Sequence, residues 1–178
     1  GGLADARRGN ADFARHGLLS REQATGGVRF GFIHGNWALD NARRDGKWCG
    51  VNNELDVLRA AGCYADFTLP SAPSETQTRK INSLYYAQDD PQRPKSHDTG
   101  SDVRVGGNGN LSAASGAAQA GGALLMIQGP LTLNWREGKF GILPRIESAE
   151  LSQDAPPTPH RVALWGRCQI CITGAEEH

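Results

Sequence analysis

Apolar and polar positions change period several times along the chain, and those changes mark out its elements. From 3 to 19, Leu3, Ala6, Phe13, Leu18 and Leu19 stand among Arg and Asp, which predicts a helix interrupted at Gly9 and ended by Gly17. VRFGFI, 28–33, is β-branched and aromatic behind TGG and predicts a strand. In NNELDVLRAAG, Leu55, Leu58 and Ala61 share one helical face, Asn52 or Asn53 can cap it, Glu54 suits the first turn, and Gly62 suits a left-handed C-terminal position. CYADFT, 63–68, follows at once as a second strand. Strand, helix and strand with so short a return form a βαβ unit, whose two strands are parallel and whose crossover is right-handed.

The second half is patterned less clearly. SETQTRKINSLYYA, 74–87, carries Ile81, Leu84 and Tyr85 at helical spacing and predicts a helix or helical turn. GGNGNLSAASGAAQAGG, 106–122, is rich in Gly, Ser and Ala and predicts a flexible loop. ALLMIQG, 123–129, is a continuous apolar run stopped by Pro130, as in a buried strand. From Leu131 onward Leu131, Leu133 and Trp135 alternate with polar residues, which predicts a strand or hairpin turning at Glu137-Gly138. RVALWGRCQICI, after a Pro-rich connector, predicts a last strand. At least four strands with intervening helices indicate part of an α/β barrel or an open α/β sheet.

With 178 residues the chain suits one domain, 1–178, and both ends read as truncated, since it starts on Gly and stops just after a strand-like run. Lys plus Arg and Asp plus Glu both count 19, so no basic surplus favours nucleic acid. No window approaches the roughly 18 apolar residues of a membrane span, so no membrane insertion is expected. The start has no signal-peptide pattern, which favours a soluble protein of the cytoplasm. Oligomeric state is left open. Cys49 and Cys63 lie 14 positions apart and CQIC lies in a strand-like run, so all four Cys read as structural thiols rather than a metal cluster.

Candidate chemistry gathers where predicted strands end, the rim that parallel α/β folds use for ligands. HGNWALDNARRDGKWCGV connects strand to helix over about 17 residues where such loops take two to six, so more than connection is needed to explain its length. TLPSAPSETQTR and RPKSHDTG are two more polar segments, and all three are expected to line one face. His34 suits a metal ligand or general base, or a structural histidine hydrogen-bonded to a neighbouring loop. Asp40 suits a ligand, a base, or the organiser of an Asx-turn in DNARRDG. His97 and Asp98 could reach one ion from a loop, or serve only loop hydrogen bonding. Trp37, Trp48, Tyr85 and Tyr86 could stack on sugar faces, or pack in the core. Arg79 and Asn82 could orient an anionic or hydroxylated ligand, or be ordinary surface residues.

The blocks FGFIHGNWALDN, WCGVNNELDVLRAAGCYADFTLPSAP, QTRKINSLYYA, RPKSHDTG, LLMIQGPL and GILPRIE, in that order, resemble an uncharacterised bacterial group of the glycoside hydrolase/deacetylase superfamily, related to the polysaccharide deacetylases. The resemblance runs through most of the chain from about His16. It implies a fragment of an incomplete (β/α) barrel of the polysaccharide deacetylase-like type, with mainly parallel strands. It also implies a divalent metal ion, zinc among the candidates, held by Asp and His, and an acetylated carbohydrate as substrate. On that basis His34 and His97 are the expected metal ligands. His34, Asp40, His97 and Asp98 are the expected catalytic residues. Asn36, Trp37, Asn41, Arg79, Asn82 and Tyr85 are expected at the substrate. T-F-D-D-G, H-S/T-x-x-H and R-x-P-x-G, three deacetylase motifs, do not occur, so the alternative is a non-catalytic carbohydrate-binding or scaffold protein that keeps the fold.

Overall fold

The computed structural model of the chain describes residues 2–106, 111–113, 122–140, 142–148 and 161–163. Helix α1 spans Gly2–Arg15, with Arg15 in its last turn, where a cation complements the helix dipole. Gly17, at φ 71°, then reverses the chain as its position in the sequence predicts. Strands β1 (Ser20–Arg21) and β2 (Val28–Phe32) form an antiparallel pair. Helix α2 (Glu54–Ala60) returns the chain to β3 (Cys63–Asp66), which runs parallel to β2, so the predicted βαβ unit is present. Strands β4 (Leu84–Gln88), β5 (Gly100–Val105), β6 (Leu111–Ala113) and β7 (Ala123–Ile127) complete a seven-stranded sheet in the order β1-β2-β3-β7-β4-β5-β6.

This sheet is mixed. Its centre, β2-β3-β7, is parallel, as expected, while β4 runs antiparallel to β7 and to β5, and β5 antiparallel to β6. It does not close into a barrel among the described residues. A second sheet, β10-β8-β9, is antiparallel throughout and comprises β8 (Leu131–Lys139), β9 (Leu143–Ser148) and β10 (Arg161–Ala163). No helix among the described residues is long and apolar enough to cross a membrane.

Four expectations need correction. Gly9 lies within α1 and does not interrupt it. The helix expected over 74–87 is a series of turns followed by β4, because Tyr85 and Ala87 alternate inward against the sheet and β4 bonds to a strand on either side. Local spacing loses there to tertiary pairing. The hairpin turns at Phe140, with Lys139 opposite Leu143, a few residues beyond Glu137-Gly138. Within the expected loop 106–122, residues 111–113 pair with β5, and 107–110 and 114–121 lie outside the described residues. Cys168 and Cys171 also lie outside them.

One core holds the layers together. Leu55 and Leu58 from α2 meet Leu39, Leu69, Tyr85, Leu124 and Met126, with Phe30 and Phe32 of β2 packed alongside. Each such side chain contributes about 1.5–3 kcal/mol by leaving water. Gly62, at φ 102°, allows the tight passage from α2 to β3, where a Cβ would run into the Val28 carbonyl. Asn82 joins the sheets: its amide donates to the Leu131 carbonyl at 2.9 Å and its oxygen accepts the Leu131 N–H at 2.6 Å.

Candidate metal centre

The long polar loop leaves β2 at Ile33 and keeps much of its backbone in the left-handed region. Asn36, Asp40 and Asn41 have φ of 61°, 53° and 52°. Asn and Asp tolerate that region better than other non-glycine residues, which accounts for their density in GNWALDN. Trp37 and Trp48 share it at φ 54° and 79° although both are bulky, and their side chains are exposed. Backbone strain of this kind is concentrated at functional sites.

His34 stands at the head of this loop. Its N–H donates to Thr68 Oγ1 at 2.8 Å, and its ring meets Phe32 edge-on at 6.0 Å between centroids. Its Nε2 lies 3.5 Å from Glu54 Oε1. The other Glu54 oxygen lies 3.2 Å from Cys49 Sγ and accepts the Asp40 N–H at 2.7 Å. His34, Cys49 and Glu54 each offer a ligand atom, all within 4.8 Å of one another. Ligands about 2.0–2.3 Å from a tetrahedral zinc ion lie roughly 3.3–3.8 Å apart. His34 Nε2 and Cys49 Sγ approach different oxygens of Glu54, at 3.5 Å and 3.2 Å, so a His/Cys/Glu group that could hold a metal ion stands at the end of β2.

Burial first, and the neighbouring Glu54 carboxylate after it, push the Cys49 thiol up to about 11. Such a thiol is a poor nucleophile on its own, because the thiolate is the reactive species. A bound cation reverses that balance by stabilising the thiolate. The donor set therefore fits a metal better than it fits cysteine nucleophilic chemistry.

Asp40 and His97 lie deeper, and both are wholly buried. Asp40 Oδ2 accepts the Ser96 N–H at 2.6 Å and also the Ser96 hydroxyl, while its carbonyl accepts the Lys95 N–H at 2.7 Å. His97 Nδ1 lies 3.6 Å from the same Asp40 oxygen, and the His97 carbonyl accepts the Tyr85 hydroxyl at 2.7 Å. His97 is thus not in the group with ligand spacing, contrary to the expectation that it shares an ion with His34. The cause is topological: it follows β4, an antiparallel strand, and Tyr85 fixes its backbone inside the molecule. Asp98 turns the other way, accepting the Arg79 N–H at 3.0 Å beside a polar cleft.

The residues expected at a substrate divide accordingly. Asn36 and Trp37 are exposed beside His34, while Asn41 and Arg79 line the cleft. Tyr85 and Asn82 are buried and structural, and burial pushes the Tyr85 phenol up. Sequence reasoning missed Cys49 and Glu54, which the path of residues 35–53 brings to His34 and which no spacing in the sequence marks. It also missed Asp66, whose carboxyl accepts the Thr68 N–H and hydroxyl at 2.9 and 2.8 Å. Burial pushes Asp66 up to about 6.

No family model, no curated protein and no solved structure matches the chain.

Proposed function

We propose that the protein is a metal-dependent hydrolase acting on carbohydrate, deacetylase-like in removing acetyl groups from a polysaccharide or related sugar. The observation that supports this most is the His34, Cys49 and Glu54 group at the end of β2. A group of three protein ligands is the number that catalytic zinc sites use, structural sites using four. A divalent ion held there by His34, Cys49 and Glu54, zinc by the softness of its thiolate and imidazole donors, would supply Lewis acidity and a bound water of lowered pKa. Thr68 holds the backbone at His34, and Asp40 orients Glu54 through its N–H. Trp37 and Trp48, exposed on the same loop, suit the faces of sugar rings.

Those two tryptophans also favour the second reading, a carbohydrate-binding protein without chemistry. The readings separate on one preparation. The hydrolase binds about one divalent ion per chain and releases acetate from acetylated oligosaccharides, losing both properties in His34→Ala. A binder retains the oligosaccharide with neither ion nor acetate release, and that result would overturn the hydrolase.

A further inference from the structure

A cleft of about 730 Å³ is lined in part by Asn41, Arg44, Arg79, Arg93 and Lys95. Its size suits a sugar-sized ligand. The charges on its walls are not equally engaged. Each of its four carboxylates is tied to a backbone N–H: Glu75 to Arg44 at 3.3 Å, Asp89 to Asp56 at 2.7 Å, Asp90 to Gln92 at 3.0 Å and Asp98 to Arg79 at 3.0 Å. Of the guanidinium groups, Arg43 is held in two-point fashion by Asp45 at 2.9 and 2.8 Å, and the others are held more loosely. Arg44 and Arg79 reach Glu75 and Asp98 at 3.5 Å while remaining 91% and 86% exposed. Arg93 is exposed and makes no ion pair among the described residues. Lys95 donates to the carbonyls of Glu75 and Gln77 at 2.8 and 2.6 Å, which anchors one cation at the wall.

We propose that this cleft is a binding site for an anionic sugar-sized ligand, its carboxylate or phosphate ester taken by Arg79 and Arg93. The acidic groups are engaged by backbone N–H groups, whereas Arg79 and Arg93 keep donors for a ligand. Arginine's planar fork matches both anions in two-point geometry, and such charge-assisted bonds are about twice as strong as neutral ones. The assignment does not rest on the hydrolase reading, because the cleft is lined by none of His34, Cys49 and Glu54.

The test is calorimetric titration of the metal-free full chain at low ionic strength with glucuronate, inorganic phosphate and glucose. Glucuronate, phosphate or both should bind at least about tenfold more tightly than glucose and weaken about tenfold in the double variant Arg79→Gln, Arg93→Gln. Arg7→Gln, an exposed change on α1, should leave binding as it was. Preference for glucuronate alone assigns an acidic sugar, and preference for phosphate alone a phosphorylated one. Anions that bind no better than glucose, or lose as much in Arg7→Gln as in the double variant, would overturn the proposal. Because all solutions lack metal, a failed hydrolase reading leaves this outcome untouched.

Discussion

The backbone N–H of His34 donates to the hydroxyl of Thr68 at 2.8 Å, and that hydroxyl donates in turn to Asp66 at 2.8 Å. One buried side chain thus joins the ends of two parallel strands and sets the direction in which the His34 loop departs. Thr68→Val keeps the shape and removes both bonds, leaving the His34 N–H without its acceptor. We expect a loss of about 1–3 kcal/mol in urea denaturation, with weaker metal binding.

Asp40 organises the site. Its carboxylate holds Ser96, its carbonyl holds Lys95 and its N–H holds Glu54. Asp40→Ala leaves the buried Ser96 N–H without its acceptor, the Ser96 hydroxyl keeping Asp89 at 3.2 Å, and should cost about 1–3 kcal/mol, measured by chemical denaturation. Asp40→Asn retains an acceptor and tolerates the left-handed backbone, so it should cost roughly half as much.

Asp66 should make stability depend on pH. Its carboxyl is raised by burial to about 6, above the ordinary 3.8, so between about pH 4 and 6 the folded chain holds a proton that the unfolded chain has released. Stability from this group therefore falls as pH rises through that window and levels off above it. The total is about 1–3 kcal/mol, at 1.4 kcal/mol per unit. Asp66→Asn should flatten that segment of a stability-against-pH curve; an unchanged slope would assign it to other groups.

Gly62→Ala tests the passage between α2 and β3. Left-handed backbone and the nearby Val28 carbonyl both oppose a side chain there. A loss greater than about 1 kcal/mol is expected from thermal melting.

Where local chemistry and tertiary pairing agree, the fold was legible in the sequence. Leu55 and Leu58 at helical spacing, Gly62 behind them and the β-rich CYAD identify α2 and β3 without help. Leu84 and Tyr85 misled because their spacing also fits a helix; only pairing with β5 and β7 makes them a strand. At the site, His34 and Asp40 stood out by position in a long polar loop, yet Cys49 resembled a buried thiol and Glu54 an ordinary first-turn helix residue. Their meeting depends on the path of residues 35–53, which no periodicity records. His97 showed the reverse, since its polar neighbours promised an open loop and Tyr85 draws it inside.

A hydrolytic role requires that His34, Cys49 and Glu54 hold one ion. Zinc-loaded, dialysed protein analysed by mass spectrometry for metal content gives the answer directly. The prediction is about one zinc per chain, with affinity at least about tenfold weaker in each of His34→Ala, Cys49→Ser and Glu54→Gln, while each variant stays folded by circular dichroism. No retained zinc in the unaltered chain, or zinc held equally well by all three folded variants, would contradict it.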